Sequence, residues 1–494
     1  MTAQELKSEL EQTYTLVCFY DLADVMCNHG KIFKVFKELY QKEYSPDQRL
    51  IFYTSQQPSQ LILDHLQRAA TKTDISNYFI TVCTPYDIHE ELKTANTKYG
   101  NSDVCIHWQV CDLTESNSID GTNIYPFDTF CTLPFGAMFV STGNATAPCC
   151  KYQGATGLFN NNIDHRVEEI KTDIKHSRRH EKCSVCWNAE DLGQTSLRQH
   201  FNNKYLDQCD LEWVDRPGIR DLTISPNNLC NFKCRICIPV SSSKVAVEQL
   251  SATSDKQEIH KLKTIISWSR EERSITENIV KMSSDLNFLH ILGGEPLLWH
   301  DLKNLIQTLV HNNTAPHIQL EFNTNGSLFS KDIIDQFSNF KSVEILLSID
   351  DLGERFELQR GGSWHQIYEN IKKFIALKSE KINVKIAPTV NVQNILYLDQ
   401  LFDFCESHQI EIVWWFLESP KELSIDRLTA SAKHAVFNKY CNHKDPELRA
   451  IAQRVLLTAP ESGLPFLNFM QILDQRRQQN SSMILKEIFD VMSC

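Results

Sequence analysis

Three cysteines share one short segment, Cys230-Asn231-Phe232-Lys233-Cys234-Arg235-Ile236-Cys237, in a C-x₃-C-x₂-C array. Seventeen cysteines scattered at random over 494 residues would seldom produce that triplet, so the spacing asks for a chemical reason. Soft thiolates suit iron–sulfur clusters, and three of them can hold three irons of a [4Fe–4S] cube while the remaining iron stays open to a ligand. Zinc is the competing occupant. A structural zinc site closes with four ligands, commonly from two tight pairs, and this array supplies three with no obvious fourth beside it.

A second set of thiols precedes the first. Cys131 stands in Phe130-Cys131-Thr132-Leu133-Pro134-Phe135, Gly143 is followed by Pro148-Cys149-Cys150, and Cys183-Ser184-Val185-Cys186-Trp187 comes later. Four or five thiolates are thus available to one site, with either Cys149 or Cys150 as the ligand. A four-cysteine zinc staple for a loop-rich segment is the alternative to an iron–sulfur cluster here. Cys18, Cys83, Cys105 and Cys405 sit alone in apolar stretches and read as small core residues.

Downstream of the triad come Leu292-Gly293-Gly294-Glu295-Pro296-Leu297, Asn323-Thr324-Asn325-Gly326, Ser348-Ile349-Asp350-Asp351 and Arg360-Gly361-Gly362-Ser363-Trp364. Each alone is a weak signal: Asp350 could cap a helix and Arg360 could be a surface ion pair. Together with the cysteine array they closely resemble the radical S-adenosylmethionine (radical SAM) superfamily. The resemblance implies a [4Fe–4S] cluster on Cys230, Cys234 and Cys237 whose open iron chelates S-adenosyl-L-methionine. It implies that Gly293, Gly294, Glu295 and Pro296 receive the methionyl amine, Ser348 the ribose or carboxylate region and Arg360 the carboxylate. Ile236 and Asn323 complete the implied cofactor-binding set, and Pro388 to Asn394 occupies the place where such enzymes often contact the adenosine. One electron passed to the sulfonium then yields methionine and a 5′-deoxyadenosyl radical that abstracts a substrate hydrogen. A flavodoxin or ferredoxin-type electron donor is implied as partner.

The earlier thiol set resembles the twitch or SPASM-type module of the N-terminal-twitch group. This implies an auxiliary [4Fe–4S] cluster on Cys131, Cys149, Cys183 and Cys186, with Cys150 as the possible substitute for Cys149. Cys405, Cys441 and Cys494 are isolated, so one auxiliary cluster is expected. The implied function is a radical SAM oxidoreductase or maturase acting on a peptide or other small molecule. A carbohydrate, nucleoside or carrier-bound substrate stands second. A non-catalytic zinc-binding scaffold competes from another class, but it would have no use for Gly293-Gly294-Glu295 and Arg360.

Such chemistry needs a frame, and the chain has length for about three domains. From Thr15 to Val110, short β-branched and aromatic runs (Leu16 to Tyr20, Leu50 to Thr54, Tyr78 to Val82, Val104 to Trp108) alternate with helical patterns at 32–39 and 61–66. Residues 1–112 therefore read as a Rossmann-like or flavodoxin-like α/β domain, without a Gly-x-Gly-x-x-Gly, whose role is docking or recognition. Residues 113–215 read as the twitch-like module. Residues 216–420 resume βα alternation with strands at 222–225, 288–292, 318–323, 343–349, 384–390 and 412–417, a partial (β/α)6 TIM-like barrel. Each motif then falls at the carboxyl end of a strand, where barrels collect function. A polar helical excursion spans 241–286, and 421–494 reads as a helical segment that caps the barrel or shapes its cavity.

Composition narrows the classes further. Hydrophobic residues at 42%, charged residues at 23% and Gly and Pro at 16 each are ordinary for a globular protein and leave no room for collagen-like, coiled-coil or mainly disordered readings. Fifty Lys and Arg against 62 Asp and Glu give a net charge of −12 with no long basic block, so nucleic acid is an unlikely partner. No basic n-region opens the sequence and no apolar run nears the roughly 20 residues that span a bilayer. The expected location is the cytoplasm, where thiols stay reduced.

Overall fold

The computed structural model describes residues 129–159, 165–176, 178–191, 196–207, 218–268 and 275–493. It also describes the strands at 16–21, 48–53, 79–84 and 106–110 and a few helical residues between them. The chain forms two compact units. One comprises Met1–Met138, Ala147–Thr156 and Arg166–Ile219; the other comprises Phe139–Thr146, Gly157–His165 and Arg220–Cys494.

The first unit contains four parallel strands, β1 (Leu16–Asp21), β2 (Gln48–Tyr53), β3 (Phe79–Thr84) and β4 (Ile106–Val110), lying side by side in chain order. Parallel neighbours require crossovers, as the alternating sequence predicts. The order does not reverse among the described strands, so the crevice that a doubly wound sheet forms at its switch point is not among them. The helical pattern at 32–39 lies outside the described residues. Short helices Leu133–Gly136, Glu168–Lys175, Ser184–Asp191 and Leu197–Asp207 follow. The first two share a small core of Phe130, Phe135, Val167, Ile170 and Ile174.

The second unit is built on one sheet. Its strands β5 (Ala137–Val140), β6 (Ala145–Ala147) and β7 (Gly157–Leu158) flank β8 (Asp221–Ile224), β9 (Phe288–Ile291), β10 (Gln319–Thr324), β11 (Ser342–Leu347), β12 (Ile382–Ile386) and β14 (Glu411–Ile412), in the order 14-12-11-10-9-8-5-6-7. The six strands from β8 to β14 pair in parallel and make the partial (β/α)6 TIM-like barrel.

Alternation within the strands decides which face meets the helices. Leu320 and Phe322 of β10 are buried while Gln319, Glu321 and Asn323 are only half-buried. Helices Leu302–His311 and Trp364–Ile375 bury Leu302, Leu305, Ile306 and Leu309, and Ile367, Ile371 and Phe374, the i, i+3, i+4, i+7 stripe of a helix covering a sheet. The opposite face carries a polar row whose members are register partners: Thr223, His290, Glu321 and Glu344. His290 pairs with Glu321 at 3.2 Å, and Lys385 of β12 pairs with Glu344 at 2.7 Å.

The expected fifth and sixth strands, 384–390 and 412–417, each break in two. β12 gives way to β13 (Thr389–Val390), which pairs with β15 (Trp415–Phe416) in a separate two-stranded ladder. Pro388 is the cause. It has no N–H to continue the ladder, but its carbonyl still accepts from Trp415 N at 3.0 Å.

The helices after residue 420 share one core with the end of the barrel, including Val390, Val392, Leu398, Val436, Leu448, Ile451, Phe466, Met470 and Ile488. The excursion of 241–286 forms helices Ser243–Ala252, Lys256–Ser267 and Ile275–Met282, with Ser242 and Asp255 capping the first two through Val245 N and Gln257 N. Among the described residues, no helix is long and apolar enough to cross a membrane.

Candidate functional site

The cysteine loop leaves β8 and lies against the glycine turn that follows β9. Gly294 N donates to Asn227 O at 3.1 Å and Glu295 N to Leu229 O at 2.8 Å. A Cβ on Gly294 would stand 2.3 Å from Leu229 O, so only glycine permits the approach. Gly293 has φ of 134°, and a Cβ on it would stand 2.9 Å from Asn227 O. From the other side, Asn325 Nδ2 donates to Asn231 Oδ1 at 2.9 Å, and Asn231 Nδ2 to Ser327 Oγ at 2.8 Å. Two strand ends thus fix the loop between them.

Arg235, inside the triad, does not face solvent. It is fully buried, and its guanidinium reaches Leu358 O at 3.3 Å, Asp474 Oδ1 at 2.5 Å and Gln479 Oε1 at 2.8 Å. Half-buried Ile236 packs against the core of the C-terminal helices. The residues between Cys234 and Cys237 therefore anchor the loop outward while the thiols stay on its inner side.

Cys230 accepts from Phe232 N at 3.4 Å and from Asn325 Nδ2 at 3.9 Å. Cys234 Sγ lies 3.8 Å from Arg360 O, and Cys237 Sγ lies 3.8 Å from Ile238 O. Burial pushes all three thiols up, Cys234 to about 12, and the neighbouring sulfurs raise Cys237 further. Bound iron draws such protons off, because a coordinating thiol is deprotonated outright. Among the described residues, no three His, Cys, Asp or Glu side chains converge on a point where a single ion could sit. A cube asks something different: each thiolate reaches its own iron. Three thiols on one loop, near enough that Cys230 and Cys234 push the Cys237 thiol up, fit that demand.

The carboxylate of Glu295 is 1% exposed and well occupied. Its Oε1 accepts from Thr324 Oγ1 at 2.8 Å and Leu297 N at 3.1 Å, and its Oε2 accepts from Asn325 N at 2.7 Å. Burial raises its pKa while those hydrogen bonds oppose the rise. Pro296 is buried behind it. Asn323 turns to the polar face of the sheet, where its Oδ1 is 2.6 Å from His290 Nε2. Ser348 is half-buried at the end of β11, its N–H bonded to Thr324 O at 2.9 Å.

Arg360 closes a helix (Gly353–Arg360) capped by Gly361 at φ 77°. Its Nε binds Asp350 Oδ2 at 2.8 Å, and Asp350 Oδ1 accepts from Thr389 N at 2.8 Å. The buried guanidinium lies in the field of Asp350, Cys234 and Cys237, all of which hold its pKa up. Among the described residues, its two terminal nitrogens make no hydrogen bond. Asn391, Gln393 and Asn394 are buried in their own turn, with Asn394 Nδ2 reaching Asp350 O at 3.0 Å.

In the other unit, Cys131, Cys149, Cys183 and Cys186 line one cavity, together with Leu133, Pro134, Tyr152, His180, Trp187 and Arg198. Cys150 is exposed and does not line it. Burial, and then neighbouring sulfurs, push the Cys149 and Cys183 thiols up, the latter to about 12. Arg198 is the keystone. Its fork grips Glu190 at 2.9 and 2.5 Å, its third nitrogen donates to Phe130 O at 2.5 Å, and its plane lies 4.7 Å from the Trp187 ring. It thereby ties the segment of Cys131 to the helix of Cys186. His180, buried beside them, pairs with Asp173 at 2.7 Å.

Sequence reasoning missed Arg235 and His180 and gave Asn325 no role of its own. Asn325 carried a signal, standing in the turn already singled out. Arg235 carried none, since its partners lie some 240 residues downstream.

Residues 224–405 match the family model described as Radical SAM superfamily. Curated relatives include the GTP 3′,8-cyclase of Clostridium botulinum, 25% identical over 207 residues, 40% of this chain and 57% of that protein. The GTP 3′,8-cyclase of Picosynechococcus sp. is 29% identical over 188 residues, 36% of this chain and 51% of that protein. The chain spans little more than half the length of the curated relatives it matches. Among solved structures, Streptococcus suis SuiB bound to S-adenosylmethionine aligns with a TM-score of 0.28 at 16% identity, covering 52% of this chain and 54% of that one. The segment that matches this family model, residues 224–405, is the one that carries the cysteine loop, the glycine turn and Arg360 on a sheet of parallel strands.

Proposed function

We propose that the protein is a radical SAM enzyme. Cys230, Cys234 and Cys237 would hold a [4Fe–4S] cluster, and the cluster with S-adenosyl-L-methionine would supply a 5′-deoxyadenosyl radical for hydrogen abstraction from a peptide or other small molecule.

The observation that carries this reading is Arg360: a buried cation beside two of the three thiols, held by Asp350 through Nε, with both terminal nitrogens unspent. A guanidinium so placed receives a carboxylate. Gly293 and Gly294 keep the turn close to the cysteine loop. Glu295, whose oxygens already take three donors, holds the turn rigid and retains at most one lone pair for an ammonium. Ser348 offers a hydroxyl at the next strand end. The polar row of Thr223, His290, Glu321 and Glu344, with Asn323 bonded to His290, lines the face on which a substrate would lie, and the hydrophobic face is spent on the helices.

Cys131, Cys149, Cys183 and Cys186 would hold a second [4Fe–4S] cluster that exchanges electrons with the substrate or its product. Cys150 plays no part. A second reading, a nucleotide substrate, is favoured by the relatives named GTP 3′,8-cyclase.

The test is anaerobic. Reconstituted protein given dithionite and S-adenosylmethionine releases 5′-deoxyadenosine, and the triple variant Cys230→Ala/Cys234→Ala/Cys237→Ala releases none while keeping about half of roughly eight irons per chain. A wild-type protein that binds only zinc, or that leaves S-adenosylmethionine intact, ends the proposal.

A further inference from the structure

The turn Thr324-Asn325-Gly326 carries one side chain to which the proposed function gives no role. Asn325 is 6% exposed, and a buried amide has an oxygen and two hydrogens to place. Its Oδ1 accepts from Ser327 N at 2.9 Å. A backbone N–H can only donate, so that bond fixes which end of the amide is oxygen and turns the NH₂ group the other way. It faces the cysteine loop. Nδ2 donates to Asn231 Oδ1 at 2.9 Å and stands 3.9 Å from Cys230 Sγ.

The backbone holds the amide in that place. β10 ends at Thr324, and Asn325 N donates to Glu295 Oε2 at 2.7 Å. Gly326 then turns the chain with φ of 75°, and its carbonyl accepts from Asn370 Nδ2 at 2.9 Å. Clamping the cysteine loop needs only the bond to Asn231, so the approach to sulfur is the feature left over.

The three sulfurs are not alike in this respect. Cys230 Sγ takes a second donor, Phe232 N at 3.4 Å, from its own loop. Cys234 and Cys237 lie 3.8 Å from the carbonyl oxygens of Arg360 and Ile238, and among the described residues no side-chain N–H is bonded to either sulfur. A thiolate is a stronger acceptor than a thiol. A hydrogen bond to a cluster's sulfur favours the more negative, reduced state, which raises the reduction potential.

We propose that Asn325 is a positioning residue that makes the cluster on Cys230, Cys234 and Cys237 easier to reduce, by donating an N–H to the Cys230 thiolate. The inference rests on the function proposed above and deepens it. Asn325 touches the glycine turn through its backbone and the ligand sulfur through its side chain, so one residue fixes Glu295 and tunes the metal site together.

The readout is the midpoint potential of the triad cluster, taken from EPR-monitored redox titration of the reconstituted full chain. Signals that persist in Cys230→Ala/Cys234→Ala/Cys237→Ala belong to the auxiliary site and are subtracted. Asn325→Ala lowers the ratio of reduced to oxidised triad cluster at fixed potential by about three- to tenfold, which is about 30–60 mV for a one-electron couple. Asn325→Asp lowers it at least as far, because a carboxylate cannot donate. Asn231→Ala gives up the same clamp but keeps the donor, and its midpoint stays at the wild-type value. Equal shifts in Asn325→Ala and Asn231→Ala, or no shift in either Asn325 variant, overturn the role of the amide. Wild type labelled with ¹⁵N at the asparagine side chains gives an answer that needs no variant to fold: pulsed EPR of the reduced triad cluster shows a weak coupling to an amide nitrogen, and its absence overturns the proposal. A wild type that assembles no cluster on the triad overturns the proposed function instead.

Discussion

Arg235 and Asp474 meet at 2.5 Å although 239 positions separate them. One stands between the second and third cysteines of the triad, the other near the end of the helix Leu464–Arg477. The arginine side chain is fully buried, and Asp474 also takes Ser481 N and Ser481 Oγ on its second oxygen at 2.8 and 2.7 Å. The C-terminal helices are thereby bolted to the loop that carries the three cysteines.

Removing one partner of a buried pair leaves the other charge uncompensated. Asp474→Ala is expected to lower unfolding free energy by about 3–5 kcal/mol, read by denaturant titration, and to reduce iron retained after desalting. Arg235→Met, which removes the stranded charge, costs less. If the two variants unfold together, the ion pair is not what fastens the loop.

Gly294→Ala puts a methyl against the backbone of Leu229, where no side-chain rotation relieves it. Overpacking of this kind costs about 1–3 kcal/mol. Its larger effect is expected on iron content, which falls by half while the auxiliary site stays filled. Iron at the wild-type level would mean that the two loops can part freely.

Asp351 is 1% exposed, and burial pushes its carboxyl up to about 6 despite the opposing Arg355, Leu352 N and Gln359 Nε2. A carboxyl with a raised folded-state pKa favours the folded protein in its protonated form. Its contribution is full below about pH 4 and is lost as pH rises through 6. The stability of wild type relative to Asp351→Asn should therefore decline by up to about 3 kcal/mol between pH 4 and pH 7. A pH-independent difference would show that Asp351 titrates like an ordinary surface acid.

Arg198→Lys keeps the charge near Glu190 but loses the fork and the contact to Phe130 O. The substitution is not conservative at a bidentate, stacked site. A loss of about 2–3 kcal/mol is expected, with iron falling to about four per chain and S-adenosylmethionine cleavage by dithionite retained. Full iron content would remove Arg198 from its keystone role.

What the sequence makes legible follows from how locally each feature is encoded. The three thiols and the glycine turn are short, contiguous signals, and the strands that carry them alternate cleanly, so Cys230, Gly294 and Ser348 are legible as residues that follow strands, whereas Arg360 ends a helix. The break of two strands at Pro388 was equally local and was overlooked, because apolar runs on both sides hid it. Cys149 and Cys150 differ by one position, and only burial separates them. Arg235, by contrast, looks like an exposed loop arginine until the final helices fold over it. Long-range partners leave no periodicity to read.

The fastening of Arg235 has a temporal meaning. A ribosome adds roughly 5–20 residues per second, so Asp474 and Gln479 emerge on the order of tens of seconds after the triad. Until they arrive, the guanidinium has Leu358 O but no counter-charge. A nascent chain stalled before residue 474 should therefore hold the cysteine loop without its charged fastening.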